Sequence, residues 1–130
     1  MAYVVPLARI LFSAIFLVAA PRHFTAEAAA HAAELGVPLA QLAVPLSGVL
    51  AIAGGLSVLL GYRARIGALL LVAFLVPVTF MMHAFWRLHD PVALHIQRAM
   101  FLKNLSMLGA ALLIAWFGPG PWSLDARFGR

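Results

Sequence analysis

Three stretches without Asp, Glu, Lys or Arg organise the chain: residues 35–62, 66–86 and 104–124, which are 28, 21 and 21 residues long. A helix needs about 20 apolar residues to cross a hydrocarbon core ~30 Å thick. Spans are therefore predicted at residues 42–60, 66–86 and 99–117. A fourth, residues 4–20, is shorter and carries Pro6 and Arg9. Pro6 falls in its first turn, where the missing N–H costs little. Arg9 sits about 8 Å along the helix, close enough to snorkel back to the interface or to hydrogen-bond a neighbouring helix. Val18-Ala19-Ala20 has the small-residue look of a cleavage site, but no basic residue precedes Arg9, so the segment reads as a retained span.

The longest connection, residues 21–41, holds its own helical signal. Thr25 is placed as an N-cap, Glu27 lies in the first turn, alanines follow, and Gly36 and Pro38 close the segment. About ten residues of helix, too polar to span, are expected to lie at the interface. Gly61 to Arg65 reads as a tight basic turn, Asp90-Pro91 as a turn signal, and Phe117 to Trp122 as an abrupt end to the last span. The expectation is an all-α membrane domain over residues 1–130, a bundle of four transmembrane helices with a short interfacial helix between the first and second.

Composition narrows the chemistry. Of 130 residues 65% are apolar, 10% are charged and none is cysteine. A soluble domain averages about 45–50% apolar and 25% charged. The missing cysteines exclude thiol nucleophiles, Cys-ligated zinc, iron–sulfur clusters and dithiol redox chemistry. The four acids, Glu27, Glu34, Asp90 and Asp125, all fall in loops or the tail, which argues against carboxylate proton relays within the bilayer. The net charge of +5 fits the positive-inside rule and anionic lipid; no basic aromatic surface outside the spans suggests nucleic acid. Arg63, Arg65, Arg127 and Arg130 fall on one side against Arg22, Arg87 and Arg98 on the other, which leans toward both termini being cytoplasmic.

All five histidines fall on the second side. Thr79, His83 and Arg87 recur every four residues and form one polar stripe. By rise per residue, Lys103 and His83 reach similar depth on antiparallel helices. A pocket built from His23, Thr79, His83, Arg87, Lys103 and Asn104 is expected, with no catalytic residue assigned. Each member has a plainer reading: Lys103 as a snorkelling helix-end cation, His83 as part of an aromatic belt with Phe85-Trp86. His89 and His95 are six apart and do not match the spacing of a helical metal pair, so no metal and no haem are expected. Ser47, Ala51 and Gly55 on the second span, and Ser106 and Ala110 on the fourth, are small-residue stripes for close helix packing, either inside the bundle or in a homo-oligomer.

The order Leu7-Ala-Arg9-Ile-Leu-Phe-Ser-Ala-Ile-Phe-Leu, Gly36-Val-Pro38, Gly54-Gly55-Leu-Ser-Val-Leu-Leu-Gly61, Thr79-Phe-Met-Met-His83-Ala-Phe-Trp86 and Lys103-Asn104-Leu-Ser-Met-Leu-Gly109 resembles the DoxX family of small membrane proteins. Ala51 departs from that pattern, in which a Glu often precedes the glycines. The resemblance implies a four-helix bundle and an accessory inner-membrane subunit of a redox or respiratory system. Its partners would be redox-complex subunits. It would contact quinone or lipid and have no cofactor of its own. A small-molecule or lipid transporter, and an autonomous enzyme using the outer-side histidines, are the alternatives.

Overall fold

Each charge-free run, and the shorter first one, forms a helix in the computed structural model, which describes residues 1–129. They are α1 (Val4–Ala19), α3 (Ala40–Leu60), α4 (Ala64–Met82) and α5 (Pro91–Phe117), with α2 (Ala26–Glu34) between the first two and a short α6 (Leu124–Arg127) at the end. Single 3-10 turns extend α1 to Phe24 and carry the chain past α4 to Arg87; with them, four helical segments are long and apolar enough to cross a membrane. Arg130, counted above among the charges of the Arg63 side, lies outside the described residues.

Two boundaries differ from expectation by more than two residues. The last span begins at Pro91, eight residues before residue 99, because Asp90 is an N-cap rather than a turn residue. Its Oδ2 accepts from Ala93 N at 2.8 Å, and Pro91 occupies the first helical position, where no donor is needed. The third span ends as an α-helix at Met82, and residues 85–87 form a 3-10 turn held by rings: Phe80, Phe85 and Trp86 each pack on Phe101 of α5, at centroid distances of 5.4, 5.3 and 5.7 Å.

α3 occupies the middle, packed on α1 to one side and α4 to the other, and α4 in turn packs on α5. The adjacent glycines 54 and 55 serve those two contacts separately. A β-carbon at Gly54 would stand 2.8 Å from the carbonyl oxygen of Gly67 in α4, whereas one at Gly55 would stand 3.0 Å from Leu17 Cδ2 in α1. The core they enclose contains Phe16, Ala51, Val58, Leu71, Phe74, Leu75 and Ala111. The expected Ser106–Ala110 stripe does not form the inner face of α5: Ser106 is exposed, and Asn104, Met107, Leu108 and Ala111 turn inward instead. Leu11, Val18, Leu42, Leu69, Leu112 and Trp116 are exposed on the outside of the bundle, where hydrocarbon is their solvent.

The tail folds back over the Arg63 end. Ser123 caps α6, and both carboxylate oxygens of Asp125 are consumed at the start of α4, Oδ1 by Arg63 N at 2.8 Å and Oδ2 by Ala64 N at 3.0 Å. Asp125 N donates to Gly61 O at 2.8 Å. Arg9 does not snorkel, nor does it bond a neighbouring helix: it is 5% exposed and donates from Nη2 to Trp122 O at 2.5 Å, tying the strap between α5 and α6 to α1.

Candidate functional site

At the opposite end, a cavity of about 670 Å³ lies between α2, the 3-10 turn after α1, and the upper halves of α3 and α4. The sequence builds it in three steps. Thr25 accepts from Ala28 N at 3.2 Å and starts α2, which buries Ala29 and Ala32 and packs on α3. Gly48 lets the 3-10 turn approach α3, since a β-carbon there would meet His23 Cβ at 2.7 Å. Pro77 lacks the N–H that the Ala73 carbonyl would otherwise receive, so that carbonyl has no helical donor. Ala73 and Pro77 both line the cavity and are exposed, and they mark a mouth toward the bilayer. Leu50, Phe74, Val78, Met81 and Met82 make its wall apolar; Arg22, Glu27 and His31 stand at its polar rim.

His23 and His83 both line this space. Ser47 Oγ donates its only proton to Val44 O at 2.6 Å, so at 2.8 Å from His23 Nδ1 it must accept. Gln97 Oε1, 2.7 Å from His83 Nδ1, can only accept. In its neutral form each imidazole is thereby held with its proton on Nδ1, leaving Nε2 on the opposite ring edge as a lone-pair acceptor. The Ser47–His23 pair is the reverse of a nucleophile–base pair, in which the ring would take the hydroxyl proton. This chemistry suits reversible binding: an apolar volume for a chain or ring, with two imidazole acceptors for a ligand's O–H or N–H groups.

The other four residues expected in the pocket lie elsewhere. Thr79 is fully buried within α4 and its hydroxyl has no hydrogen-bond partner. Asn104 is buried on the inner face of α5. Lys103, its neighbour, is exposed, with Nζ 3.4 Å from Met100 Sδ on its own helix. Arg87 is exposed on the 3-10 turn. None of the four lines the cavity. Sequence reasoning did not find the partners that orient the histidines. Ser47 was read only as a small packing residue, and Gln97 lay outside the expected span. A hydroxyl beside a glycine in a largely apolar helix was the available signal for Ser47.

The chain is similar to inner membrane protein YqjF of Escherichia coli (strain K12), 34% identical over 120 residues that cover 91% of this chain and 86% of that protein. It is also similar to inner membrane protein YphA of the same organism, 33% identical over 95 residues, covering 73% of this chain and 67% of that protein. No solved structure matches it. The resemblance to the DoxX family is overturned, because the family model that matches, over residues 41–128, is a different one. Some of the motifs that carried that resemblance, such as Gly54-Gly55 and the Gly61 helix end, are close-packing and capping devices open to any four-helix membrane bundle. By that match and those relatives, the chain belongs to the SURF4 family.

Proposed function

We propose that this chain is an accessory protein of the inner membrane that reversibly holds one amphipathic, hydroxyl-bearing molecule, such as a lipid alcohol or a glyceride. The relatives named as inner membrane proteins support the location. One observation carries the ligand class: two imidazoles line a single apolar cavity, each with Nδ1 committed to the protein and Nε2 left to accept. At the two histidines a quinone's carbonyls would meet acceptors, and the quinone and redox link has lost its family basis. A transport path through the bundle is disfavoured by the Arg63 end, closed by buried Arg9 and Asp125 beneath the tail.

The test compares oleyl alcohol with oleyl methyl ether by equilibrium binding to the purified protein in nanodiscs. The alcohol is expected to bind and the ether to bind about 5- to 150-fold more weakly, since buried acceptors left unpaired cost about 1–3 kcal/mol. Ala28→Trp, which fills the cavity from α2, is expected to abolish binding without unfolding the bundle, and Ala43→Phe does the same from α3. Equal binding of alcohol and ether would refute the hydroxyl assignment. Undiminished binding by both filled variants would refute the site.

A further inference from the structure

A second cavity, of about 560 Å³, lies at the Arg63 end beneath the strap that joins α5 to α6, and Arg63 and Arg65 are among the residues that line it. Arg65 is fixed from Nη1 to the carbonyl of Trp116, at 2.7 Å, near the end of α5. The β-carbon that Gly118 lacks would stand 3.4 Å from Arg65 Nε and 3.5 Å from Nη2, so glycine there leaves this edge of the guanidinium uncovered; its φ of +84° also disfavours any side chain. Arg63 is held through its backbone on both sides: its N–H donates to Asp125 Oδ1 at 2.8 Å, and its carbonyl accepts from Gly67 N at 3.1 Å.

The charge balance of the cavity is uneven. Asp125 is the acid among its described lining residues, and both of its oxygens are occupied by backbone N–H groups. Two arginines therefore line one cavity, and no carboxylate among the described residues pairs with either. Guanidinium forks of this kind match the oxygens of a phosphate. The lower rim is apolar: Ile66 is 54% exposed and Phe117 72%, one at the start of a spanning helix and the other at the end of one. A cationic top and a greasy edge at one membrane boundary are the layout of a phospholipid, whereas free phosphate needs only the top.

We propose that this cavity binds the phosphodiester headgroup of an anionic phospholipid, with the phosphate between Arg63 and Arg65 and the first acyl carbons along Ile66 and Phe117. The site is separate from the histidine cavity and does not depend on it. Native mass spectrometry of the detergent-purified protein, supplied with phosphatidylglycerol or with phosphatidylcholine of the same chains, tests it. One phosphatidylglycerol is expected to be retained in preference to phosphatidylcholine, and Arg63→Gln and Arg65→Gln are each expected to lower that preference about fivefold. Arg63→Gln keeps the test sound if Arg65→Gln unfolds, because the Arg63 contacts that hold this turn are made by its backbone. Equal retention of the two lipids, or a preference unchanged in Arg63→Gln, would overturn the site. Thermal stabilisation by inorganic phosphate alone, equal to that given by the lipid, would overturn the lipid assignment.

Discussion

His23 Nδ1 lies 2.8 Å from Ser47 Oγ, 24 residues along the chain, and this bond ties the turn after α1 to the middle helix at the floor of the cavity. Ser47→Ala removes the acceptor while changing almost no volume. It is expected to lower stability by about 0.5–1.5 kcal/mol, the net worth of one such bond, and to weaken alcohol binding by freeing the ring to rotate. Thermal unfolding and binding measured on the same preparation check both effects; if neither changes, His23 is not held by Ser47.

The glycines of the bundle meet different neighbours: a backbone carbonyl at Gly54, side chains at Gly48 and Gly55, and nothing within 4 Å at Gly109. Gly54→Ala places a β-carbon against the Gly67 carbonyl, and α3 and α4 must separate to admit it. A loss of about 1–3 kcal/mol is expected, as for other overpacked interiors. Gly109→Ala meets nothing within 4 Å and is expected to be neutral or to gain up to about 1 kcal/mol from helix propensity. Thermal unfolding in detergent separates the two; equal effects would mean that α3 and α4 are not in this close contact.

Asp125 caps a helix that begins 61 residues before it. Asp125→Ala is expected to cost about 1–2 kcal/mol, in the range of a lost N-cap, and to release the tail so that trypsin cuts faster after Arg127. Asp125→Asn keeps one acceptor and should fall between the two. Unchanged proteolysis in Asp125→Ala would show that other contacts hold the strap.

Lys103→Met gives the sharpest contrast between depth and direction. Lys103 is exposed and its amino group contacts only Met100 of its own helix among the described residues. The substitution is expected to leave alcohol binding unchanged and stability within about 0.5 kcal/mol, as for other surface changes. Loss of binding in this variant would return Lys103 to the site.

That contrast also shows why the fold was legible in the sequence and the site only partly so. Crossing a membrane depends on hydropathy summed over some twenty residues, so four spans could be read without knowing any contact. Rise per residue gives height in the bilayer but not rotation about the helix axis. Lys103 and Asn104 are at one height and about 100° apart, and packing on α4 turned Asn104 inward. Arg9 was ambiguous for the same reason, because a snorkelling and an inward arginine have one sequence. The Asp90-Pro91 pair is a good turn and an equally good helix start, and only the Ala93 hydrogen bond distinguishes them. His23 and His83 could be assigned to one side of the membrane, but their orienting partners lie 24 and 14 residues away, beyond the reach of local patterns.

The central claim, one amphipathic alcohol seated between α2 and the bundle, is tested most directly by photolabelling. An alkyl alcohol carrying a mid-chain diazirine is incubated with the protein in nanodiscs, irradiated, and the adducts are mapped by peptide sequencing. Labels are expected on Leu50, Phe74, Val78 and Met81, and are expected to disappear in Ala28→Trp. Labels spread over the outward-facing Leu112, Leu113 and Trp116, and unchanged by Ala28→Trp, would contradict it.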